Sequence, residues 1–193
     1  MVDNPAMSNG PPTPDFGANG AAQRGRLREL MLYIAERSAD DPKFGATKLN
    51  KILYWSDFIA FGKRGQAITG AEYMKLDHGP VPRMLVPLKN EMIDENDADE
   101  ISMMFHGYKQ TRLVAKREPN LGGFTADQIA IVDFVIEALK SKNASQVSEM
   151  SHTLAWEIAG HKGTIPYQSV FLSDDGVTDG DREWANGIIA EAS

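Results

Sequence analysis

The run KLNKILYWSDF, residues 48–58, constrains the fold of this chain more than any other segment. Its inward residues recur at helical spacing on one face, and aromatic side chains widen that face. The inward residues are Leu49, Ile52, Leu53, Ser56 and Ile59, and the aromatic ones are Tyr54, Trp55, Phe58 and Phe61. So wide a face predicts a helix at the centre of the core, capped by Thr47 and ended by Gly62 and Gly65.

A second informative run, YMKLDHGPVP, covers residues 73–82. Residues 74–76 are predicted to be extended. Each proline fixes its own φ angle and restricts the residue before it, so Gly79–Pro82 is predicted to be a rigid turn. Pro82 also suits the first turn of a helix, which we expect to end near Met92.

Periodicity elsewhere predicts more helices and one hairpin. Apolar spacing indicates helices over residues 23–38, 126–141, 143–160 and 179–191. Thr125 and Gln128 form a capping-box pattern before the second of these. Two strand-like arms, residues 101–106 and 110–115, predict a β-hairpin around Gly107. The predicted fold class is mainly α (α+β), a compact bundle of about six helices with a small antiparallel β-hairpin.

The chain divides into three parts by composition. Residues 1–22 are rich in Pro, Gly and Asn and poor in large apolar residues, which predicts a disordered N-terminal tail. Residues 23–160 form the predicted domain. Residues 161–193 are predicted to be a C-terminal extension whose final helix packs on the same domain through Trp184, Ile188 and Ile189.

Charge and cysteine content exclude several classes of function. The 193 residues include no cysteine, so disulfides, zinc–thiolate sites and cysteine nucleophiles are excluded. A net charge of −7 disfavours broad binding of duplex DNA, which needs a basic face. No apolar run approaches the roughly 20 residues that span a bilayer, and no signal peptide is recognisable. We therefore expect a cytoplasmic protein without membrane contact.

The histidines provide the few candidate catalytic groups. None of them stands in a metal-binding or nucleophile–base pattern, and no phosphate loop is present, so we predict a non-enzymatic protein without cofactor or metal. The ring of His78 is predicted to brace the following turn. His152 precedes Trp156 by four residues and is predicted to stack on it. An enzyme built on His78 with Asp57 or Asp77 remains an alternative.

Two charge clusters allow other interpretations. Acidic residues crowd positions 91–100, where they predict either a solvated face or a surface for a basic partner. A basic strip favours an alternative function, a nucleic-acid-binding transcriptional regulator of its own operon. The strip consists of Lys109, Arg112, Lys116 and Arg117.

Three signatures, in order and spacing, resemble the Panacea domain family of SocA-like antitoxins, also described as phage-associated proteins. They are Lys48-Leu49-x-Lys51-x-Leu53-Tyr54-x-x-Asp57, then Gly70-x-x-Tyr73 with Gly79-Pro80-Val81-Pro82, and then Ser148-x-x-Ser151-His152 with Ala155-Trp156. The resemblance covers roughly residues 27–160. It implies an antitoxin that is encoded beside a toxin, binds that cognate toxin protein directly and neutralises it without enzymatic activity.

Two mechanisms fit this resemblance. The antitoxin either occludes the toxin, or it also acts as a proteolytic adaptor that delivers the toxin to an ATP-dependent protease such as ClpXP, with residues 1–20 as a tether. Asp57 is expected to cap the 79–82 turn or to pair with Lys48 or Lys51. The predicted toxin-binding residues are Tyr54, Trp55, Asp57, His78, Gly79, Pro80, Val81 and Pro82.

Overall fold

A computed structural model of the chain describes residues 18–105 and 107–172. Within these residues the helices are α1 (Ala18–Arg37), α2 (Ala46–Arg64), α3 (Leu85–Asp94), α4 (Ala126–Lys140), α5 (Ala144–Met150) and α6 (Leu154–Ile158). The strands are β1 (Tyr73–Leu76), β2 (Gly79–Pro82), β3 (Ala98–Phe105), β4 (Tyr108–Ala115) and β5 (Thr164–Ile165). Short 3-10 segments cover Leu121–Gly123 and Tyr167–Phe171. The predicted class, mainly α with a small antiparallel hairpin, is confirmed.

Helix α2 lies at the centre of the core, as its wide apolar face predicts. It buries polar side chains as well as apolar ones, because helices α1 and α4 and strand β2 surround it. Its buried residues are Lys48, Leu49, Lys51, Ile52, Leu53, Tyr54, Ser56, Asp57, Phe58 and Ala60. Burying each large apolar side chain contributes about 1.5–3 kcal/mol, so this helix organises the core.

The ends of α2 differ in part from the prediction. Gly45, in extended conformation, is the N-cap and offers no side chain to the first turn, whereas Thr47 lies inside the helix. Gly65 ends the helix in the left-handed region, with φ of 68°, which glycine adopts without a Cβ clash. The predicted stop at Gly65 is therefore confirmed, whereas Gly62, the other predicted stop, lies inside the helix and the predicted cap at Thr47 is wrong.

Residues 79–82 are a strand and not the predicted turn. β2 pairs antiparallel with β1, from Tyr73 opposite Pro82 to Leu76 opposite Gly79, and β5 joins the other side of β1. Proline is tolerated because β2 is an edge strand, where a missing N–H need not break the ladder. Helix α3 consequently begins at Leu85 and not at Pro82.

The second sheet is the predicted hairpin, which is longer than the sequence indicated. β3 and β4 pair antiparallel from Ala98 opposite Ala115 to the loop at Gly107. Ala98 and Leu113 point into the core, whereas Met103 and Met104 are exposed. The hairpin thus covers the core at its base and projects beyond it at its tip.

The capping box predicted at Thr125 and Gln128 is confirmed at the start of α4. The single helix predicted over residues 143–160 is instead divided into α5 and α6. The hydroxyl of Ser151 donates to the carbonyl of Ser148 at 2.6 Å, where α5 ends. Such a bond from a side chain to the backbone competes with helix continuation.

Other boundaries also differ. Helix α1 begins at Ala18, five residues earlier than predicted. The final helix predicted over residues 179–191 and most of the predicted N-terminal tail lie outside the described residues. No helix among residues 18–105 and 107–172 is long and apolar enough to cross a membrane.

Candidate functional site

The carboxylate of Asp57 joins the middle of α2 to the loop before β1. It is fully buried and accepts hydrogen bonds from the backbone N–H of Thr69 at 2.7 Å, from the Thr69 hydroxyl at 2.5 Å and from the Tyr73 hydroxyl at 2.9 Å. Burial raises the pKa of Asp57, and these hydrogen bonds oppose that shift. Neither Lys48 nor Lys51 is its partner, so the pairings expected from the sequence are wrong.

Lys51 lies under the β1–β2 hairpin. Its side chain is 1% exposed, and its Nζ donates to the carbonyl of Pro80 at 3.1 Å. No carboxylate pairs with it among the described residues. Burial lowers the pKa of Lys51 to about 7.

Gly79, the first residue of β2, allows Lys51 and Ser151 to pack closely against the strand. Its φ is +96°, a conformation that residues with a Cβ rarely adopt. A Cβ built there overlaps Lys51 Nζ and Ser151 Oγ and lies 3.1 Å from Lys51 Cε. The first β2 residue must therefore be glycine for α2 and α5 to approach it together.

Helices α5 and α6 hold the same hairpin from the other side. The Ser148 hydroxyl donates to the carbonyl of His78 at 3.0 Å, and the Trp156 indole donates to the carbonyl of Leu76 at 3.0 Å. The His152 ring stacks on Trp156, as predicted, with centroids 3.8 Å apart. Lys75 Nζ lies 4.2 Å from the Trp156 ring centroid, a cation–π contact.

Lys48, the first residue of the first signature, connects three segments. Its buried Nζ pairs with Asp41 at 2.7 Å and donates to the carbonyl of Lys140 at 3.1 Å. Burial lowers the pKa of Lys48, and the hydrogen bond to Asp41 opposes that shift. The three signatures therefore share one arrangement, in which buried polar side chains tie neighbouring elements to α2 and to the β1–β2 hairpin.

The predicted toxin-binding residues divide into two groups by exposure. Side chains of Trp55 and Val81 are partly exposed, and His78 is exposed. The other members are buried within the chain: Tyr54, Asp57, Gly79, Pro80 and Pro82. The His78 ring is exposed and does not brace the turn as expected. Instead, the backbone carbonyl of His78 accepts a hydrogen bond from the Ser148 hydroxyl. Only three of the predicted side chains reach the surface.

The structure also contains an apolar groove that the sequence analysis did not predict. It encloses about 270 Å³ between α2, α6 and the 3-10 segment Tyr167–Phe171. Its lining includes Trp55, Leu154, Ala155, Val170 and Leu172. We call it the Trp55 groove. Sequence patterns could not reveal it because its walls come from segments about a hundred positions apart.

Three of the four residues of the basic strip are engaged within the molecule. Arg112 donates to the backbone carbonyls of Ser38 at 3.0 Å and Ala39 at 3.1 Å. Arg117 contacts the carboxylates of Glu29 and Asp97, and Lys116 lies 3.5 Å from the carboxylate of Asp99. A nucleic acid would have to compete with these partners, so the geometry does not favour the regulator interpretation.

The acidic cluster is also largely paired internally. Glu91 contacts Arg24 and Arg28, and Glu100 contacts Lys89. Asp97 accepts from Arg28 at 3.1 Å. These pairs join α1 to α3 and the base of the hairpin, and they reduce the charge available for a basic partner. No group of three or more potential metal ligands occurs among the described residues.

Comparison with known families agrees with this geometry. A family model described as "Antitoxin SocA-like, Panacea domain" matches residues 49–157, which is more than half of the chain. The chain therefore belongs to the SocA-like Panacea domain family of antitoxins, and the predicted resemblance is confirmed. No curated protein and no solved structure matches it.

Proposed function

We propose that this protein is a cytoplasmic antitoxin that neutralises a cognate protein toxin by binding it directly and occluding its active surface. Membership of the antitoxin family over residues 49–157 carries this proposal. The arrangement of the signatures supports it, because their buried polar groups fix the backbone of α2 and of the β1–β2 hairpin. A preorganised surface loses little entropy on binding and so favours affinity.

The proposed contact surface is the exposed part of the predicted set, Trp55, His78 and Val81. Tryptophan is among the residues that most often dominate binding energy at protein interfaces. The buried members of the set act as the support for these three side chains: Lys51 holds the carbonyl of Pro80, and Ser148 holds that of His78. Loss of a support residue is then expected to lower both folding stability and toxin binding.

Delivery to an ATP-dependent protease is the variant mechanism. Residues 1–17 precede α1, so their deletion leaves that helix intact. If they tether a protease, the deletion will lengthen the half-life of the toxin in cells while leaving growth rescue by occlusion in place. An unchanged toxin half-life would reject the tether and leave occlusion alone.

Co-expression with the product of the adjacent gene tests the central proposal. We expect that product to arrest growth alone and to be harmless when this chain is present. His78→Ala should weaken toxin capture in a pull-down while the melting temperature stays near that of wild type, because His78 is exposed. Trp55→Ala and Val81→Ala should weaken capture and also lower the melting temperature, because both side chains pack in part against the core. Val86→Ala, at an exposed position on α3, is the matched control. Arrest that persists in the presence of the intact chain would refute the proposal.

A further inference from the structure

Strand β3 has one edge that pairs with β4 and one free edge. It joins no other strand among the described residues. The Lys116 N–H donates to the Asp97 carbonyl at 2.9 Å, and this bond fixes the alternation of the ladder, so that odd-numbered β3 residues bond to β4. The N–H and C=O groups of Glu100, Ser102 and Met104 therefore point away from β4. None of these groups bonds to another backbone group in the part of the chain that the structure describes.

This free edge lacks most of the features that protect edge strands from pairing. Residues 98–105 pair one to one with β4, without a bulge, and include neither proline nor lysine. Every side chain from residue 99 to residue 104 is exposed. Ile101 is 40% exposed, Met103 is 39% exposed and Met104 is 71% exposed. Unpaired backbone groups next to exposed apolar side chains make this edge a template for another strand.

We propose that β3 pairs antiparallel with β3 of a second copy of this chain, about a two-fold axis at Ser102. Because the even-numbered residues carry the outward groups, even-numbered residues must face each other in the new ladder. With the axis at Ser102, Glu100 of each copy faces Met104 of the other. On the opposite face, Ile101 of each copy faces Met103 of the other. About six N–H···O bonds form, two in each of three facing pairs, and the two hairpins become one four-stranded sheet.

Charge complementarity favours a second copy in this register. An axis at Glu100 would set two carboxylates opposite each other, which destabilises a strand pair. With the axis at Ser102, Glu100 instead lies beside the partner's Met104. The next residue in that row is the partner's Lys109, which is exposed and faces Met104 across the hairpin. The edge strand is thus complementary to itself in both its apolar and its charged side chains.

The dimer goes beyond the proposed antitoxin function and does not rest on it. Five facing residues in each strand make a contact smaller than the roughly 1,200 Å² of standard protein interfaces, so we expect a dissociation constant of about micromolar order. The experiments below use the free full-length chain without a toxin. The dimer and the antitoxin function can therefore fail separately.

Analytical ultracentrifugation over a range of concentrations measures the dimer. Met104→Glu places a carboxylate opposite the partner's Glu100, twice by symmetry, and should raise the dissociation constant about tenfold. Met104→Lys is the matched control, because it places a lysine opposite the same carboxylate and should leave the dimer at least as stable. Met104 is 71% exposed, so both variants should fold. Equal dissociation constants for the two variants would overturn the proposal. A chain that is monomeric at every concentration would also overturn it and leave the edge to a strand of another protein.

Disulfide cross-linking tests the position of the axis, because the chain has no cysteine of its own. The Cα atoms of a hydrogen-bonded pair lie about 5.5 Å apart, which a disulfide can span. Ser102→Cys should therefore give a covalent dimer under mild oxidation. Glu100→Cys is the control, since its two copies lie about 13 Å apart along the strands and should stay monomeric. Cross-linking of both variants alike, or of neither, would contradict an axis at Ser102 and overturn the proposal.

Discussion

Gly79→Ala tests whether the convergence of α2, β2 and α5 holds the hairpin in place. The substituted residue must keep φ of +96° or move the strand, and such strain costs about 1–3 kcal/mol. Its Cβ also displaces Lys51 Nζ and Ser151 Oγ from their carbonyl acceptors, and each lost hydrogen bond costs about 0.5–1.5 kcal/mol. The expected loss is therefore about 2–6 kcal/mol.

Urea denaturation followed by circular dichroism gives the free energy of unfolding. Gly65→Ala is the matched control, because Gly65 has φ of +68° and nothing within 4 Å of its built Cβ. It carries the backbone strain of about 1–2 kcal/mol without the overlap. A loss of 2–6 kcal/mol is a large part of the roughly 5–15 kcal/mol that stabilises a typical domain.

A double-mutant cycle separates the contact from the strain. In a Ser151→Ala background one of the overlapping atoms is gone, so Gly79→Ala should cost about 1 kcal/mol less than in wild type. The reasoning would be refuted if Gly79→Ala were no more destabilising than Gly65→Ala. An additive cycle would contradict the predicted contact with Ser151 specifically.

Three further changes have defined outcomes. The pKa of Lys51 is about 7 in the folded chain and near 10.4 in the unfolded chain, so between these pH values the unfolded state binds one more proton than the folded state. The free energy of unfolding therefore rises with pH by up to about 1.4 kcal/mol per pH unit. Lys51→Met should remove this rise in urea titrations at pH 7 and 9, and an unchanged slope would contradict the pKa assigned to Lys51. Arg112→Lys should cost about 1–3 kcal/mol, because lysine lacks the planar guanidinium that lies 5.5 Å from the Phe44 ring centroid and places Nη2 against the carbonyls of Ser38 and Ala39; a neutral result would show that this geometry is dispensable. Thr125→Ala removes the capping box of α4 and should cost about 1 kcal/mol of unfolding free energy, whereas Ser in its place should cost less.

Sequence patterns predicted those structural features that depend only on residues close together in the chain. The apolar face of α2 and the Thr125 capping box could be predicted because spacing and side-chain type decide them. The strand β2 could not, since two prolines in four residues favour a turn unless the strand lies at a sheet edge. That edge position exists only after the chain has folded.

At the candidate site, too, the sequence did not predict contacts between distant segments. The sequence placed Asp57 and Lys51 in one signature but paired them wrongly, because the partners of Asp57 are Thr69 and Tyr73, on a loop and a strand. Burial decides these pairings, and burial depends on packing between distant segments. Exposure likewise separates Trp55, which is partly exposed, from its buried neighbour Tyr54, and it depends on which distant segments cover each side of α2.

C-terminal segments support the β1–β2 hairpin, and this has a consequence for how the protein is degraded. Among the described segments, a protease that pulls on the C-terminus extracts the 3-10 segment Tyr167–Phe171 first, then β5 and then α6. The pairing along β1 and the Trp156 bond to Leu76 are lost with β5 and α6. Helices α1, α2 and α4 contact one another, so we expect them to be folded still at that moment. Extraction from the N-terminus must begin by stripping α1 from the core. The direction of degradation therefore decides whether the β1–β2 hairpin loses its support early, before the core unfolds, or together with the core.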